Sequence, residues 1–479
     1  WCRSIYSCRI SEYSYNLTSL NGNDTMVIKI PPKVNKAMEI LRAKGHTAYV
    51  AGGAVRDSLL GVESQDWDIA TSALPAQTVD AFDGYRVIET GIKHGTVTVL
   101  MDGTPLEITT YRIESGYSDK RHPDSVVFTD RIADDLARRD LTVNAIAYSP
   151  EAGFVDPYGG IEDIKSGLLR CVGDPDRRFG EDALRIMRVL RFSQTLGFDI
   201  EGKTADSVRR SYRLLANISV ERILSELLKT LRVCGKEFLL EYADVIFFIL
   251  PELAPMRGCT QNHERHIYDV WGHTAAAVEA APEDEEIRLA MLFHDSGKPL
   301  CKTTDENGTD HFHSHGKISR EIAYATLERL KASARLRDHV CTLVEYHDFM
   351  PELISKATYR KYLGLLGEKT IRELFDVRAA DISAQNPAFL SEGMAAIALG
   401  RAKLDEIIAE DSCLRLQDLK INGNDIKSLG IEPSPLTGEL LDELFGEVLN
   451  DKIKNDRQAL IARAAELITE RRNNGNGKN

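Results

Sequence analysis

The sequence lacks the features that mark membrane proteins, secreted proteins and thiolate zinc proteins. Among its 479 residues no apolar run reaches the about 18 residues that a transmembrane helix needs, so no membrane span is expected. Its eight cysteines are scattered without a Cys-x-x-Cys pair. This spacing argues against a disulfide framework or a thiolate zinc site, and it favours a reducing cytoplasm.

The first 25 residues also lack an initiating methionine and the apolar core of a signal peptide. A more ordinary protein start begins at Met26 with MVIKIPPKVNKAMEI. We therefore interpret residues 1–25 as an N-terminal extension without a functional role.

Excess positive charge is absent as well, because the net charge is −13. An acidic protein is a poor non-specific binder of nucleic acid, although a local basic surface is still compatible with binding. Residues 170–232 contain 13 Lys and Arg against 9 Asp and Glu, the reverse of the chain average. This stretch is the part of the chain best suited to meet phosphate groups.

The length predicts about two to four domains, and the sequence patterns predict an α+β protein. A small mixed α/β head is expected over residues 26–172, where GTVTVLMDGTPLEITTYR alternates around Asp102-Gly103 as a type I′ hairpin does. Spacing in threes and fours then predicts a helical neck over 173–255. A helical, histidine-rich domain over 256–400 and a small helical tail over 401–479 follow.

The stretch SQDWDIAT contains two carboxylates two positions apart, Asp66 and Asp68. On a strand both would point to one face, where carboxylate oxygens could share Mg²⁺ with the phosphates of a nucleotide. Glu107, on the far arm of the predicted hairpin, is a third candidate ligand for a two-metal site. The alternative is a solvent-facing strand edge with no metal.

Upstream, VAGGAVRD predicts a turn that approaches a ligand closely. Gly52 and Gly53 lack side chains, a helix starting near Ala54 would add its positive end, and Arg56 adds a cation. These residues are expected to cradle a triphosphate, although a plain glycine turn would look similar. The combination with the D-x-D segment favours nucleotidyl transfer to a 3′-hydroxyl.

Taken together, YVAGGAVRDSLLG and QDWDIAT resemble the head of the polymerase-β-like nucleotidyltransferases, and specifically the bacterial-type (class II) tRNA nucleotidyltransferases. Members of that family build the 3′-terminal CCA of tRNA from CTP and ATP. Further stretches match in the family's order: TGIKHGTVTV, EITTYR, RRDLTVNAIAY, DPYGGIEDI, EDALRIMRVLRF and SVERILSELLK. The resemblance covers residues 26 to about 235. It implies Mg²⁺ as cofactor, and CTP, ATP and the acceptor and T arms of tRNA as partners.

The resemblance also assigns roles to individual residues. In RRDLTVNA, Asp140 and Asn144 are expected on one helical face, bracketing the ribose 2′-hydroxyl. In EDALR, Asp182 and Arg185 are expected on one helical face, reading the base. The same motifs place Arg139 and Arg188 at the nucleotide.

A carboxylate accepts hydrogen bonds and a guanidinium donates them. The Asp182–Arg185 pair therefore suits the amino group and bare ring nitrogen of cytosine and adenine, and it opposes guanine and uracil. Without the surrounding motifs, an ordinary surface ion pair would be the more common meaning of this spacing.

The segment SGYSDKRHPDSVVFTDRIAD resembles the flexible loop that the family needs to switch from C to A addition. Its presence favours addition of the whole CCA. His122 departs from the pattern, because a second arginine is expected before the proline. The basic, phenylalanine-containing signature of the related poly(A) polymerases is not found after the D-x-D segment.

Residues 256–400 hold nine of the twelve histidines, between His263 and His347. His273, His294-Asp295 and Asp381 follow the H…HD…D order of HD metal-dependent phosphohydrolases. Imidazole with carboxylate suits a second divalent metal that activates water against a phosphate ester. Lys298 could hold that phosphate, and two further histidines, His315 and His347, could add a second ion. His263, His266 and His339 are interpreted as structural.

The tail, with NGNDIKSLGI and LLDELFGEVL, resembles that of relatives with an HD domain and would lie along tRNA. Three alternatives to full CCA addition remain. They are an HD phosphohydrolase with a vestigial head, a tRNA-binding protein without turnover, and a partial enzyme that adds only A or only CC. The sequence leaves the oligomeric state open.

Overall fold

The computed structural model describes residues 27–116, 125–350, 353–410, 415–432 and 434–476. The predicted extension, residues 1–25, and the departure at His122 lie outside the described residues. The chain divides into two compact units. Unit 1 comprises Trp1–Cys234 with Tyr242–Pro251, and unit 2 comprises Gly235–Glu241 with Glu252–Asn479.

Unit 1 is built on a seven-stranded mixed sheet with the strand order β3-β4-β5-β2-β1-β8-β9. Strands β2 and β5 run parallel, and the other neighbours in the sheet run antiparallel. The strands of the sheet are β1 (Ala48–Ala51), β2 (Ile69–Thr71), β3 (Arg86–Ile88), β4 (Thr96–Met101), β5 (Thr104–Thr110), β8 (Ala147–Ser149) and β9 (Gly153–Val155). Two separate two-stranded ladders join β6 (Arg112–Ser115) to β7 (Ser125–Phe128) and β10 (Leu168–Leu169) to β11 (Asp199–Ile200).

The β4–β5 hairpin is confirmed where the sequence predicts it. Asp102 and Gly103 have φ angles of 49° and 78°, as a type I′ turn requires. Every second residue of β4 is buried, with Val97, Val99 and Met101 facing the core. The alternation that predicts the hairpin is therefore the alternation that buries one face of the sheet.

Helices cover the sheet of unit 1 and extend beyond it. They are α1 (Pro32–Ala43), α2 (Gly53–Leu59), α3 (Pro75–Ala81), α4 (Ile132–Ala137), α5 (Gly160–Ser166), α6 (Pro175–Glu181), α7 (Leu184–Leu196), α8 (Gly202–Ser211), α9 (Val220–Leu231) and α11 (Ala243–Ile249). Helices α7 and α9 pack against each other. The buried side of α9 carries Ile223, Leu224, Leu227 and Leu231 at the spacing of an amphipathic helix.

Unit 2 is almost entirely helical. Its helices are α10 (Lys236–Glu241), α12 (Val270–Ala280), α13 (Glu285–Phe293), α14 (Lys298–Cys301), α15 (His315–Arg329), α16 (Ala334–Glu345), α17 (Lys356–Ser383), α18 (Leu390–Ala409), α19 (Gly423–Ser428), α20 (Pro435–Leu449) and α21 (Arg457–Asn476). A short ladder joins β12 (Thr303–Thr304) to β13 (Asp310–His311). Gly367, with φ 81° and ψ 159°, kinks α17.

The C-terminal part of unit 2 has an apolar core of its own. Residues of α19, α20 and α21 meet there, including Ile426, Leu440, Leu444 and Leu460, all fully buried.

Short 3₁₀ turns complete the chain at Ile92–His94, Thr142–Asn144, Tyr212–Asn217, Pro251–Met256, Pro387–Phe389 and Leu416–Asp418. Among the described residues, no helix is long and apolar enough to cross a membrane. The predicted fold class, a mixed head followed by helical domains, is confirmed.

Candidate functional site: a nucleotide cavity and a histidine–aspartate cluster

The Gly-Gly turn connects β1 to α2, and the helix starts at Gly53, as predicted. Gly52 has φ 84°, a conformation that side chains disfavour, and its N–H donates to the Ile146 carbonyl at 3.0 Å. A Cβ atom at this position would overlap the guanidinium of Arg139. The glycine therefore makes room for an arginine beside the turn.

The two carboxylates of the D-x-D segment lie at the start of β2 and not within it. The strand begins at Ile69, one residue after Asp68, so the prediction that both acids lie on a strand is wrong in its boundary. The carbonyl of Asp68 still accepts from the Ala51 N–H at 3.2 Å, which ties this residue to β1. Asp68 and Glu107 line a cavity of about 620 Å³, and Asp66 lies outside its lining.

The pKa of the Asp68 carboxyl is raised to about 6. The protein atoms around it remove part of its hydration, and the negative charges of Asp66 and Glu107 add to this effect, while Arg139 opposes it. The side chain is nevertheless accessible to solvent. A divalent cation would relieve the repulsion between these carboxylates, so the residues present fit a divalent-cation site.

The residues predicted to read the sugar are adjacent, although the predicted helix is absent. Leu141 makes a single β-bridge and Thr142–Asn144 forms a 3₁₀ turn, so the helical prediction for Asp140 and Asn144 is wrong. The turn still brings the pair together, since Asn144 Nδ2 donates to Asp140 Oδ1 at 3.1 Å. Both side chains are buried and line the cavity.

Two arginines hold this pair. Arg188 Nε donates to Asp140 Oδ2 at 2.7 Å, and Arg56 Nη1 donates to Asn144 Oδ1 at 2.6 Å. Burial alone would raise the pKa of Asp140, but the charge of Arg188 and the hydrogen bonds lower it to about 2. Arg56 also contacts the Asp57 carboxylate at 2.7 Å. Arg56, predicted to cradle phosphate, therefore bonds to a residue predicted to read the sugar.

The residues predicted to read the base flank a break between two helices. Helix α6 ends at Glu181, Asp182 is extended (φ −139°, ψ 106°), and α7 begins at Leu184. The prediction that Asp182 and Arg185 share one helical face is therefore wrong, although both line the same cavity. Arg185 donates to Glu181 at 2.7 Å and to the Arg138 carbonyl at 2.9 Å.

Asp182 is held from both sides. Its Oδ1 atom accepts from the Leu184 N–H at 3.0 Å, and its Oδ2 atom accepts from Arg222 Nη2 at 3.0 Å. Arg222 comes from α9 and also lines the cavity. The sequence analysis did not single out Arg222, because its position four residues into a helical motif gives no signal of a contact with Asp182.

In unit 2 the predicted HD residues converge in a buried cluster. His273 Nε2 lies 2.9 Å from Asp381 Oδ1 and 3.5 Å from Asp295 Oδ2. His294 Nε2 lies 3.3 Å from the same Asp295 oxygen. Ligand atoms of His273, His294 and Asp295 all fall within 4.8 Å of one another. This donor set of imidazoles and a carboxylate fits a divalent transition metal.

A second group shares Asp295 with the first. Asp295 Oδ1 lies 3.3 Å from His315 Nε2 and 3.9 Å from His347 Nε2, and the three form another compact set. The Nδ1 atoms of His294, His315 and His347 contact the backbone carbonyls of Met291, Phe312 and Val344, at 2.6, 2.9 and 2.7 Å. Such contacts orient each Nε2 toward the cluster, as is typical of metal-binding histidines.

Neighbouring charged groups contact the two carboxylates of this cluster and lower the pKa of one of them. Burial would raise the pKa of the Asp295 carboxyl, but His294 and Lys298 hold it well below its usual range. Lys298, predicted to hold phosphate, lies 2.7 Å from Asp295 Oδ2 and 2.7 Å from Gln261 Oε1. Arg378 Nη1 contacts Asp381 Oδ2 at 2.9 Å. The i,i+3 spacing of Arg378 and Asp381 on a helix could have revealed this contact.

The cluster opens into a cavity of about 560 Å³. His266, which the sequence analysis interpreted as structural, lines this cavity, and its ring centroid lies 5.3 Å from that of His273. Burial lowers the pKa of His266 to about 3, and the positive charge of Lys298 adds to the effect. His263 also lines the cavity, whereas His339 lies 3.1 Å from Glu373.

Three family models match the chain in this order. A poly A polymerase head domain covers residues 48–170, a probable RNA- and SrmB-binding site of polymerase A covers 197–255, and an HD domain covers 264–385. The first therefore covers the sheet of unit 1 and its Gly-Gly turn. The third covers all the residues of the histidine–aspartate cluster.

Curated relatives and solved structures agree with these models. The CCA-adding enzyme of Ligilactobacillus salivarius is 31% identical over 459 residues, which is 93% of this chain and 100% of the relative. The CCA-adding enzyme of Lactobacillus helveticus is 48% identical over 206 residues, 42% of this chain and 51% of the relative.

Among solved structures, the Bacillus stearothermophilus CCA-adding enzyme in complex with CTP is 28% identical, with a TM-score of 0.68 over 93% of this chain and 100% of that one. The Thermotoga maritima CCA-adding enzyme complexed with tRNA is 18% identical, with a TM-score of 0.55 over 96% and 98% of the two chains, and supports the fold alone. On the strength of the full-length relative and the matching domains, the chain belongs to the CCA-adding enzymes, a family of tRNA nucleotidyltransferases.

Proposed function

We propose that the protein adds C, C and A to the 3′ end of tRNA, taking the nucleotides from CTP and ATP. One observation carries this proposal: groups suited to base, sugar, phosphate and cation all line a single cavity of about 620 Å³ in unit 1. That volume is in the usual range of small-molecule sites, about 300–1,000 Å³. Because tRNA is the substrate, a cytoplasmic location follows from the proposal.

The base is selected by hydrogen-bond polarity. Asp182 accepts from the exocyclic amino group of cytosine or adenine, and Arg185 donates to the neighbouring ring nitrogen. Guanine and uracil place a carbonyl against the carboxylate and an N–H against the guanidinium, so both contacts become repulsive. The anchoring of Asp182 by Arg222 at 3.0 Å keeps the acceptor in position without a nucleic-acid template.

The sugar is selected by Asp140 and Asn144. The low pKa of Asp140, about 2, keeps it ionised and therefore an acceptor only. The oxygen of the Asn144 amide accepts from Arg56 and one N–H donates to Asp140, so the amide presents its remaining N–H to the sugar. An acceptor and a donor side by side complement a 2′-hydroxyl, which can donate and accept.

Asp66, Asp68 and Glu107 would hold Mg²⁺. When bound, the ions supply charge that favours the ionised 3′-hydroxyl and stabilises the departing pyrophosphate. In the reaction, the 3′-oxygen of tRNA forms a bond to the α-phosphorus, and the bond from that phosphorus to pyrophosphate breaks. Arg139, beside the Gly52 turn, is placed to neutralise the triphosphate.

Extension of three tRNA transcripts, ending before CCA, after C and after CC, tests the proposal. Each is incubated with single nucleotides and with CTP plus ATP in Mg²⁺, and the products are resolved on a gel. We expect ordered addition of C, C and A with no addition of G or U. Addition of A to the CC-ended transcript alone, or extension that stops after CC, would identify a partial enzyme. No extension of any transcript would contradict the proposal.

A second function is proposed for the histidine–aspartate cluster: hydrolysis of a phosphate ester. The observation that favours it is the sharing of Asp295 between two compact ligand groups, with the histidine Nδ1 atoms held by backbone carbonyls. His273, His294, Asp295 and Asp381 would hold one divalent ion, and His315 and His347 with Asp295 a second. When bound, such ions supply a lowered pKa for water and a positive charge for the phosphate.

Hydrolysis of bis(p-nitrophenyl) phosphate and p-nitrophenyl phosphate by the full-length protein tests this second function. The protein is first treated with EDTA and then supplied with Mg²⁺, Mn²⁺, Ni²⁺ or Zn²⁺. We expect release of nitrophenol with at least one metal and a loss of that release in the His294→Ala variant. Equal rates for that variant and the unchanged protein would exclude the cluster as the source of hydrolysis.

A further inference from the structure

One aromatic ring in the nucleotide cavity lies against three arginines. The ring centroid of Phe192, on α7, lies 5.0 Å from the guanidinium carbon of Arg56, 5.3 Å from that of Arg188 and 4.3 Å from that of Arg191. Phe192 is buried and lines the cavity. A guanidinium within about 6 Å of an aromatic centroid is attracted to the electrons of the ring. The ring thus offers three like charges a common attractive surface.

Two of these arginines are the groups that hold the sugar-reading pair. Arg56 donates to Asn144 Oδ1 at 2.6 Å, and Arg188 donates to Asp140 Oδ2 at 2.7 Å. Arg56 comes from α2 and Arg188 from α7, so the ring joins two elements that are far apart in sequence. It is the one aromatic side chain among the residues that line the cavity in the described part of the chain.

The position of Arg56 decides which way the Asn144 amide faces. A guanidinium has only donors, so the amide must turn its oxygen toward Arg56 and its nitrogen toward Asp140, which accepts at 3.1 Å. If Arg56 moves away, the amide loses one of these two constraints, and only the contact with Asp140 still orients it. Its remaining N–H group then no longer points reliably at a 2′-hydroxyl, and the distinction between ribose and deoxyribose weakens.

The third arginine anchors the ring. Arg191 packs closest to Phe192 and forms an ion pair of 2.8 Å with Glu226, a buried residue of α9. Helix α9 packs on α7, so this contact fixes the ring from the side of the neck. Phe192 is therefore immobilised by one arginine and orients the other two.

We propose that Phe192 is a positioning residue for sugar selection, which holds Arg56 and Arg188 in the places where they fix Asn144 and Asp140. The inference rests on the proposed nucleotidyl transfer, since it names what makes that same cavity choose ribonucleotides. Phe192 itself touches neither the sugar nor the reacting atoms in this account.

The test compares Phe192→Leu with Phe192→Tyr. Leucine keeps an apolar side chain and removes the ring, whereas tyrosine keeps the ring. Phe198→Leu is the matched control, because Phe198 lies in the same unit, is 8% exposed like Phe192 and does not line the cavity. For each protein, kcat/KM is measured for CTP, dCTP and UTP with a transcript that lacks CCA. The dissociation constants of CTP and dCTP are measured by calorimetry in Mg²⁺.

We expect Phe192→Leu to raise the acceptance of dCTP relative to CTP by about tenfold, the effect of losing cation–π contacts of ordinary strength. Tyrosine at this position should restore the selectivity, and the Phe198 control should keep it. Discrimination against UTP should not change, because base reading uses other residues. Equal losses for CTP, dCTP and UTP would reveal a merely structural role and overturn the proposal.

A protein without nucleotidyl transfer and a protein in which Phe192 has no positioning role give different results in these experiments. If the unchanged protein extends no transcript, nucleotidyl transfer is refuted. The ratio of the dissociation constants of CTP and dCTP then still tests the role of Phe192 in sugar selection. If transfer occurs and the leucine variant selects ribose as well as the unchanged protein does, the positioning role of Phe192 is refuted alone. A tyrosine variant as unselective as the leucine variant would also refute it.

Discussion

At the scale of single residues, the nucleotide cavity shifts the pKa values of its carboxyl groups away from the values of the same groups in water. Asp68 illustrates this, because its pKa of about 6 reflects lost hydration and the repulsion of Asp66 and Glu107. A carboxyl whose pKa is raised on folding binds its proton more tightly in the folded state. The contribution of this carboxyl to stability is therefore lost as the pH rises from about 4 through 6.

Replacing Asp68 by Asn should accordingly raise the melting temperature in metal-free buffer at pH 7.5 and abolish nucleotide addition. At pH 4 the gain should be much smaller, since Asp68 is then protonated in the folded state and the pH lies close to the unfolded pKa of 3.8. Scanning calorimetry at the two pH values checks the stability, and transcript extension checks the activity. A variant no more stable than the unchanged protein at pH 7.5 would show that the pKa of Asp68 is not raised on folding.

Arg222 gives a second prediction at this scale. Its removal frees one oxygen of Asp182 from the 3.0 Å contact that fixes it. Hydrogen bonds between charged groups contribute about 1.5–3 kcal/mol, so Arg222→Ala should raise misincorporation of U or G relative to C or A by about tenfold or more.

Competition between labelled nucleotides in a single transcript extension measures this ratio. Arg232→Ala is the control, because Arg232 follows the same helix, is exposed and does not line the cavity. Unchanged base selectivity in the Arg222 variant would mean that Asp182 holds its position by the Leu184 contact alone.

At the scale of elements, the sequence correctly predicts those features that contacts between neighbouring residues determine. The β4–β5 hairpin follows from alternation and from Asp102-Gly103, whose backbone conformation those two residues favour. The break at Asp182 has a different cause. EDALRIMRVLRF has helical spacing throughout, but Asp182 accepts from the Leu184 N–H, a local contact, and from Arg222 of a distant helix, a contact that sequence spacing does not contain.

The same reasoning explains the sugar-reading pair. Asp140 and Asn144 are four positions apart, and a 3₁₀ turn brings their side chains together much as a helix would. The contact could thus be predicted while the element could not. Phe192 escaped the sequence analysis entirely, because an aromatic residue at helical spacing is ordinarily core, and only the fold places three arginines around it.

The Gly-Gly turn between β1 and α2 carries the prediction for this scale. Gly52 and Gly84 both have positive φ, at 84° and 89°, so alanine is strained at both positions. A Cβ atom at Gly84 meets nothing within 4 Å, whereas at Gly52 it overlaps Arg139. Gly52→Ala should therefore lose at least about tenfold in kcat/KM with CTP beyond any loss in Gly84→Ala. Equal activities would show that the Arg139 position is unimportant.

At the scale of the whole molecule, the chain carries two sets of chemistry-bearing residues in two units. The nucleotide cavity is lined by residues of unit 1 alone, and the histidine–aspartate cluster by residues of unit 2 alone. Among the described residues, the side chains that form each set come from one unit only.

Two isosteric substitutions in the full-length protein should therefore separate the activities. Asp68→Asn should abolish nucleotide addition and leave metal-dependent phosphate-ester hydrolysis unchanged. Asp295→Asn removes the carboxylate shared by both ligand groups, so hydrolysis should be lost while C and A addition to a short acceptor-stem hairpin continues. Melting curves for both variants show whether each protein stays folded. Loss of both activities in one folded variant would mean that the two units are coupled. If the head is vestigial, the unchanged protein itself will add no nucleotide.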